Sequence, residues 1–412
     1  MPVGEPNLTA AELIEYLVDL GGALLSYGCP THQLERLLGE IAEMEGFRAE
    51  AFAVPSGLFL SLSGPGSEQP LVRMHRVSEW ATDLSRLARL DQLFTSVLER
   101  RVTLAEARRL LDAIESEPPL YTNLARVAAG AGAAGAAAVF FRGTLLEVGV
   151  AAVGGLLIQL IRLVLGRRWR TSLLQDFMGA AAAAGVAWAA GAIWHGVSRE
   201  VVVLAAVILL VPGMALTTGL TEVVHKNIVS GAAKLTETLV AFLSIVFGIA
   251  VMVAFEGLLG GPPAPSVPAH GEPGIALNAA AVIVTGVGFC IIFRVPTRLA
   301  AGAMLSNAVG WVVTGLGVRY LNGSIAAFTA SFSVAVLANA IARWTRRPAQ
   351  VFLLPGLVLL VPGSFGFVSL ESFLRGDFLP GAARAFDMFL TASAIVTGLL
   401  AANVALPARK LL

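Results

Sequence analysis

The sequence has little charge and little cysteine, and its match to the dinucleotide-binding pattern G-x-G-x-x-G, at 130–135, lies inside an apolar run, where close packing of helices is the favoured interpretation. Only 14% of its 412 residues are charged, whereas a soluble protein of this size carries about 25%. The two cysteines, Cys29 and Cys290, are too few for a disulfide framework or a metal cluster. No P-loop, H-E-x-x-H or nucleophile elbow is present. We therefore expect no ATP-driven transport by this chain alone, no cofactor, no metal ion and no nucleic-acid partner.

What the sequence has instead is apolar length. The first ten residues, MPVGEPNLTA, lack a basic region and an early apolar core, so a cleaved signal peptide is not expected. From about residue 123 nearly everything lies in apolar runs of roughly 18–25 residues, the length of a transmembrane helix. The runs predict a polytopic α-helical membrane protein with about ten spans, at 123–141, 144–165, 173–194, 200–220, 232–257, 275–293, 296–318, 321–343, 349–370 and 384–406.

Residues 1–120 predict a small soluble α+β domain that precedes the membrane part. Apolar residues recur with helical period in four segments and alternate in the β-rich region between them. Thr31 is a plausible N-cap for the second helix. The pattern predicts helices at 11–27 and 33–45, a hairpin at 47–63, a strand at 69–77, and helices at 83–101 and 104–115.

One apolar stretch occurs twice, with the same break in it. Leu-Leu-Val-Pro-Gly ends at Gly213 and again at Gly363, and a shift of 150 residues makes 12 of the 42 positions from 207 to 248 identical. Proline has no N–H and clashes with the preceding turn, so each copy predicts a broken helix. In hydrocarbon a broken helix is tolerated only where it is buried in protein or lines a cavity. Two interrupted spans at matching places in two halves point to a transporter's binding site.

The spans divide into two halves of five, and an odd number per repeat inverts the second copy in the membrane. The predicted loops on the side of the N-terminal domain hold twelve Lys and Arg, against five on the other side. This bias favours both termini in the cytoplasm and a multi-pass protein of the inner membrane. The expected divisions are a cytoplasmic domain at 1–120, inverted five-helix repeats at 121–257 and 275–412, and a Pro/Gly-rich outer linker at 258–274.

The candidate substrate-binding residues surround the two breaks. Hydroxyls and freed backbone groups near a helix break can hold a zwitterion, whose carboxylate suits a helix N-terminus. The alternative is that the hydroxyls bond back to carbonyls of their own helix. The candidates are Pro212, Gly213, Thr217, Thr218, Pro362, Gly363 and Ser364.

Ionisable residues in the spans are candidates for proton coupling, because a charge in the membrane is costly and tends to mark a substrate or proton path. Lys234 and Glu237, like Arg384 and Asp387, are three residues apart, so their charges can touch. We predict that Glu237 or Asp387 carries the coupling proton; the alternative is a structural ion pair. Asp176 opens the third span, where a solvated interfacial carboxylate is the favoured interpretation. The candidates for coupling or ion pairing are Glu222, Lys234, Glu237, Arg384, Asp387 and Asp176.

A catalytic site in the soluble domain is the less favoured hypothesis. His32, Glu35, His75 and Asp83 could form an acid–base group, and Cys29 could be a nucleophile. A single histidine near a helix start is more often structural, and the sequence offers no partner for the cysteine. We therefore predict no catalytic residue.

Three segments, taken in order, resemble the threonine/serine exporter family. The first is LLSYGCPTHQLERLLGEIAEMEGFRAEAFAVPSGL, from Leu24 to Leu58. The second is LLVPGMALTTGLTEVVHKNIVSGAAKLTETL, from Leu209 to Leu239. The third is LPGLVLLVPGSFGFVSL, from Leu354 to Leu370, and together the segments extend over most of the chain.

The resemblance implies a ten-span secondary exporter with a cytoplasmic N-terminal domain. Its substrate would be threonine, serine or a similar small hydrophilic metabolite, exchanged against protons across the lipid bilayer, and a homo-oligomer is left open. Some members of the family divide the two halves between separate chains, and one such pair is associated with dicarboxylate export. The alternatives are therefore a dicarboxylate exporter and a membrane-anchored hydrolase with its active site in residues 1–120.

Overall fold

The structure is a computed structural model composed mainly of helices, with one small sheet near the N-terminus. Residues 259–270 of the predicted linker lie outside the part of the chain that it describes. The described residues are 9–64, 69–77, 82–168, 172–194, 196–258, 271–374 and 376–408.

The N-terminal elements follow the order predicted from the sequence. The three strands form an antiparallel sheet in the order β1-β2-β3, and Phe59 of the middle strand lies between Phe52 and Met74. One face of the sheet packs on the first two helices. The elements are α1 (Ala10–Ser26), α2 (Thr31–Met44), β1 (Arg48–Val54), β2 (Gly57–Ser63), β3 (Leu71–Arg76), α3 (Leu84–Leu98) and α4 (Leu104–Ser116).

Capping residues explain where most of these helices begin. Thr9 and Glu12 form a capping box at α1, and the same arrangement recurs at the start of α4. Helix α2 differs, because its N-cap is Pro30, which makes no side-chain hydrogen bond. The prediction that Thr31 is the N-cap is therefore wrong: Thr31 is the first helical residue, and its N–H is satisfied by a distant part of the chain.

Eight of the ten predicted spans are single helices that are long and apolar enough to cross a membrane, counted over the described residues. Their outward faces carry apolar side chains, such as Phe247, which is 62% exposed. These faces suit contact with lipid. The eight helices are α5 (Asn123–Phe140), α6 (Leu145–Arg168), α7 (Ser172–Ile193), α10 (Ile228–Leu258), α11 (Ile275–Ile292), α12 (Ala300–Tyr320), α13 (Gly323–Thr345) and α16 (Phe378–Ala405).

The other two predicted spans are broken, each into two short helices. The first consists of α8 (Arg199–Val207) and α9 (Gly213–Val224), the second of α14 (Gln350–Leu357) and α15 (Gly363–Leu374). Pro212 and Pro362 close the breaks, as predicted from the proline's missing N–H. None of the four pieces has the 18 residues of a candidate span.

The N-terminal elements rest directly on the membrane helices. Their apolar core, which includes Leu34 and Leu38, continues into buried residues of the later chain, among them Val295, Val351 and Phe352. The contact is made with the end of α11 and the start of α14, so both lie on the same side of the molecule as α2.

Candidate functional site

The two broken segments cross at their breaks. A Cβ built on Gly213 would overlap the side chain of Val361 and lie 3.5 Å from the backbone nitrogen of Gly363. A Cβ built on Gly363 would overlap the side chain of Val211. The two valines are matching residues of the two copies, as are the two glycines. Glycine is required at both positions because a side chain of the other copy fills the space beside it.

A cavity of about 520 Å³ lies beside the first break. The carbonyl of Phe293, which lines the cavity, accepts a hydrogen bond from the Leu84 N–H of α3 at 3.0 Å. The cavity therefore opens on the side of the N-terminal elements, and we name it the near cavity. Its polar side chains are Asn123, Arg126, Gln159 and Arg162, and its wall at the break includes Ile208, Leu209, Val211, Pro212 and Met214.

Two arginines give the near cavity its positive charge. Arg162 donates to a carboxylate oxygen of Asp176 at 3.0 Å, and its other Nη reaches the Leu209 carbonyl at 3.4 Å. The guanidinium of Arg126 has no hydrogen-bond or ion-pair partner among the described residues. Gln159 fits beside it because residue 130 is glycine, where a Cβ would lie 2.7 Å from the amide nitrogen.

The break changes which backbone groups are available to the near cavity. Pro212 has no N–H to donate to the Ile208 carbonyl, and Gly213 donates to Val211 at 2.9 Å instead of to Leu209. The Leu209 carbonyl is thereby left for the arginine that lines the cavity. Carbonyl oxygens freed in this way are acceptors for a cationic group of a ligand.

A second cavity, of about 760 Å³, lies at the opposite ends of α5 and α11, and we name it the far cavity. It is lined by the end of α5 and α12 and by the start of α11, and it meets the second break at Leu359. Its lining repeats that of the near cavity at a shift of 150 to 152 residues. The matching pairs are Arg126 and Asn278, Gln159 and Trp311, Arg162 and Thr314, Leu163 and Gly315, Gly166 and Val318, and Leu209 and Leu359.

Packing elsewhere repeats in the same manner. A Cβ on Gly248 of α10 would crowd the Phe177 carbonyl of α7 and lie 3.2 Å from the Ala181 nitrogen. On Gly398 of α16 it would lie 2.6 Å from the Phe328 carbonyl and 3.1 Å from the Phe332 nitrogen of α13. Counting the broken segment as the fourth, each half thus joins its third and fifth membrane segments through a glycine at the same place.

A buried carboxylate beyond the first break binds the N-terminal elements. Glu222, near the end of α9, is 1% exposed. It accepts the Thr31 N–H at 2.9 Å and the Thr31 hydroxyl at 2.5 Å, and Lys234 lies 3.3 Å away. It serves as the N-cap that Pro30 cannot provide, because a carboxylate at a helix N-terminus satisfies a free N–H and favours the helix dipole.

Two histidines stack beside this carboxylate. His32 of α2 and His225 of the loop after α9 have ring centroids 4.0 Å apart and nearly parallel planes. His32 Nδ1 lies 3.4 Å from Glu222, and the amide of Asn227 donates to Glu35 at 3.2 Å. These polar contacts therefore join α2 both to the end of α9 and to the loop that follows it.

The second half of the chain binds the N-terminal elements too. Arg294 donates to the buried carboxylate of Asp83 at 2.7 Å. The amide of Gln350, at the start of α14, donates to Gln33 of α2 at 3.0 Å. Helix α2 thus connects the segment after the first break to the segment before the second.

The hydroxyls predicted to bind substrate bond to their own helix. Thr217 donates to the Gly213 carbonyl at 3.2 Å and Thr218 to the Met214 carbonyl at 2.9 Å. This is the alternative considered from the sequence, and it leaves these hydroxyls fewer bonds for a ligand. Ser364 lies next to the crossing of the breaks and is half-buried.

The predicted charge pairs are only partly formed. Lys234 pairs with Glu222 and not with Glu237, which is exposed, because Glu222 is buried and in reach across the turn between α9 and α10. Arg384 and Asp387 approach to 3.9 Å on an exposed surface. An exposed pair of this kind contributes little to stability.

Asp176 also differs from the prediction. It is 7% exposed, in place of the solvated interfacial carboxylate that the sequence favoured. Arg162, one helix away on α6, pairs with it at 3.0 Å. Its position next to a cavity-lining arginine makes it the candidate carboxylate nearest to the near cavity's polar groups.

The residues considered for catalysis have separate structural contacts. Asp83 pairs with Arg294, and Glu35 accepts the Ala53 N–H at 2.9 Å. Cys29 is buried, and this burial together with the nearby charge of Glu222 raises the pKa of its thiol. The nucleophilic form is the thiolate, so the cysteine is held in its inert form at neutral pH.

Sequence reasoning missed the four polar side chains of the near cavity. Asn123, Arg126 and Gln159 fall inside predicted apolar spans, and Arg162 counts among the predicted loop charges. A signal was present, since Arg126 lies in the first turn of α5 and Gln159 and Arg162 are three residues apart on one face of α6. The partnership of Thr31 and Glu222, 191 residues apart, had no such signal.

Two family models match the chain. One, described as "Putative threonine/serine exporter", matches residues 15–256. The other, described as "Threonine/Serine exporter, ThrE", matches residues 278–405. No solved structure matches the chain.

Similar curated proteins come from bacteria and from fission yeast. A "Probable threonine/serine exporter" of Mycobacterium tuberculosis is 25% identical over 405 residues, 96% of this chain and 76% of that protein. A "Threonine/serine exporter" of Corynebacterium glutamicum is 22% identical over 343 residues, 81% of this chain and 70% of that protein. An uncharacterized protein of Schizosaccharomyces pombe is 24% identical over 358 residues, 84% of this chain. The chain spans about half of that yeast relative, 47% of its length.

Proposed function

The chain belongs to the threonine/serine exporter family, and we propose that it exports threonine, serine or a similar small amino acid across the inner membrane, driven by the proton gradient. The observation that carries this proposal is the near cavity, where a guanidinium that binds none of the described residues lies beside a broken helix. Its volume of about 520 Å³ falls within the range of small-molecule sites, roughly 300–1,000 Å³.

The chain is a multi-pass membrane protein, and its proposed architecture has ten spans in two inverted repeats. The eight long helices and the two broken segments account for the ten. The matched linings of the two cavities at opposite helix ends, and the reciprocal contacts of Gly213 and Gly363, are what inverted copies of one unit would produce. Residues 1–120 then form the cytoplasmic domain, and the near cavity is the cytoplasmic one.

The substrate's carboxylate binds Arg126 in this proposal. Its ammonium binds the carbonyl oxygens freed at the break, beginning with that of Leu209. Arg162 and Asp176 complete the site as a paired cation and anion. Rocking of one repeat against the other about the crossing of the breaks moves the substrate from the near cavity to the far one.

Asp176 is the proposed carrier of the coupling proton. It is buried, it lies in the membrane part, and its ionisation determines whether Arg162 is neutralised. A proton on Asp176 leaves Arg162 without its counter-charge, which disfavours the substrate's ammonium at the nearby carbonyl oxygens. The proton and the ammonium therefore exclude each other, as exchange of the two across a membrane requires. Glu237 and Asp387, the carriers preferred from the sequence, are more exposed than Asp176.

The N-terminal elements regulate transport in this proposal. Helix α2 binds Glu222 after the first break and Gln350 before the second. Both broken segments must move during rocking, so a helix that connects them controls the movement.

A dicarboxylate exporter is the second candidate, because two arginines in one cavity could bind two carboxylates. Counterflow in proteoliposomes separates the two candidate functions. Proteoliposomes are loaded with unlabelled threonine, serine or succinate and tested for uptake of the same compound in labelled form. We expect threonine and serine to exchange and succinate to fail, since Arg162 is already neutralised by Asp176. Arg126→Gln should raise the threonine concentration needed for half-maximal exchange, whereas Arg36→Gln, at an exposed surface pair, should leave it unchanged. Succinate exchange without threonine exchange would establish the second candidate, and absence of both would refute export of either class.

The proposed orientation is tested with cysteines placed at exposed sites. Glu272 is 82% exposed near the far cavity, and Glu50 is exposed on β1. An impermeant thiol reagent should label Glu272→Cys in intact cells and Glu50→Cys only after lysis. The reverse pattern would place the N-terminal elements outside the cell.

A further inference from the structure

The two cavities have matching positions but different charges. Where the near cavity carries Arg126 and Arg162, the far cavity carries Asn278 and Thr314. The positions that line the two cavities repeat, so the difference in charge resides in the side chains at those positions.

The far-cavity side chains are also occupied by bonds to their own backbone. The amide of Asn278 donates to the Pro273 carbonyl at 2.9 Å, and the hydroxyl of Thr314 donates to the Gly310 carbonyl at 2.7 Å. Arg126, by contrast, keeps its guanidinium free of any partner in the described parts of the chain. A ligand carboxylate entering the near cavity meets a half-buried donor that is not in use. In the far cavity the guanidinium without a bond to the described residues is that of Arg319, which is exposed to solvent.

The remaining charges of the far cavity lie at its rim. Arg142 pairs with Glu272 at 3.2 Å, and Arg319 is exposed. Such exposed charges are screened by water and salt and bind weakly. The matching residue of Arg142 is Arg294, which is bound to Asp83 outside the near cavity.

We propose that Arg126 makes the transporter unequal on its two faces: the near face binds the substrate carboxylate tightly, and the far face, with Asn278 at the matching position, releases it. This inference rests on the proposed export of an amino acid. Arg126 sets the affinity for the substrate carboxylate on the cytoplasmic face. Asn278, at the matching position of the far face, binds that carboxylate more weakly and so allows its release.

The expected size of the difference follows from the bond that is lost. A hydrogen bond to a charged group contributes enough to change an affinity about 10- to 100-fold. The Michaelis constant on the near face should therefore be lower by about that factor than on the far face. In the absence of any gradient kcat/KM must be equal in the two directions, so a lower KM on the near face is matched by a lower kcat for movement from that face. The split between KM and kcat is the signature of Arg126, because a merely structural residue changes both faces alike.

The test uses the full chain in right-side-out and inside-out membrane vesicles, with no pH gradient. Initial rates of labelled threonine movement into a compartment that holds no threonine give KM and kcat at each face. Arg126→Asn should raise KM at the near face to the far-face value and leave the far face unchanged. Asn278→Arg should lower KM at the far face, and Arg126→Lys should retain part of the difference. Threonine amide, which lacks the carboxylate, should compete equally poorly on both faces.

Equal KM values on the two faces of the unmodified protein, or a parallel rise on both faces in Arg126→Asn, would overturn this inference and leave the proposed export intact. Absence of exchange for threonine, serine and succinate in both vesicle types would overturn the export proposal and the inference with it. Because Asn278→Arg predicts a gain of affinity, misfolding of the Arg126 variants does not decide the outcome.

Discussion

Val361 fills the space where a side chain on Gly213 would lie. In the matching contact, Val211 fills the space where a side chain on Gly363 would lie. The two breaks are therefore joined by reciprocal valine-into-glycine packing as well as by their position beside the near cavity. The glycines have a packing role that the sequence did not favour, so variants at these positions must be designed to separate packing from binding.

Gly213→Ala should destabilise the protein by about 1–3 kcal/mol, the usual cost of overpacking a core. The added methyl meets Val361, so Val361→Ala in the same chain should recover most of the loss. Thermal unfolding in detergent measures both. Gly149→Ala serves as the control, since nothing lies within 4 Å of a Cβ at that position of α6. Equal losses for Gly213→Ala with and without Val361→Ala would exclude this contact as the cause.

Glu222→Gln should loosen α2 from the membrane part. It leaves Lys234 without its carboxylate and weakens the cap of α2, and breaking a buried pair costs about 3–5 kcal/mol. Hydrogen exchange in the first turn of α2 and protease cleavage between residues 1 and 120 should both become faster. Arg36→Gln, which removes an exposed pair on the same helix, should change neither, because such a pair contributes about 0.3–0.5 kcal/mol. Unchanged protection of α2 in Glu222→Gln would show that the apolar contacts alone hold it.

Asp176→Asn should abolish export driven by a pH gradient while threonine counterflow without a gradient continues. The asparagine has no titrating proton but still lies beside Arg162. Glu237→Gln is the matched control on α10, where the carboxylate is exposed and makes no ion pair among the described residues. If Glu237→Gln loses gradient-driven export and Asp176→Asn retains it, the coupling carboxylate is the one that the sequence alone suggested.

Cys29 should resist alkylation near neutral pH. Burial raises the pKa of its thiol, so the group stays protonated below that raised value and becomes a thiolate only as the pH rises through it. In a Cys290→Ala chain, iodoacetamide at pH 8 should modify Cys29 slowly in the folded protein and rapidly in denaturant. Rapid modification of the folded chain would revive the hypothesis of a cysteine hydrolase in residues 1–120.

The helices and strands were largely predictable because each depends on local pattern. Apolar length defined the long spans, and the proline in each copy located both breaks. Alternation and the turn after Val54 gave the hairpin. These signals act within a few residues, so one sequence is enough to reveal them.

The candidate site was less predictable because its parts meet only in three dimensions. The choice of Glu222 over Glu237 as the partner of Lys234 depends on how α9 packs against α10. Arg126 and Arg162 line one cavity because α5 and α6 lie side by side. Periodicity shows which face of a helix is apolar, but it does not show which neighbour that face will meet.

The cap that Glu222 places on α2 has a consequence for biosynthesis. The carboxylate follows Thr31 by 191 residues, so at ribosomal rates of about 5–20 residues per second α2 waits roughly 10–40 s for it. Gln350, which binds Gln33, follows after 317 residues. Between the synthesis of Thr31 and the arrival of Glu222 four membrane segments must leave the ribosome. Until then the nascent N-terminal elements keep an open helix end and an uncovered apolar surface. Chaperone binding at this stage, and its release once α9 has been inserted, would make the order of synthesis part of how the transporter acquires its regulatory contacts.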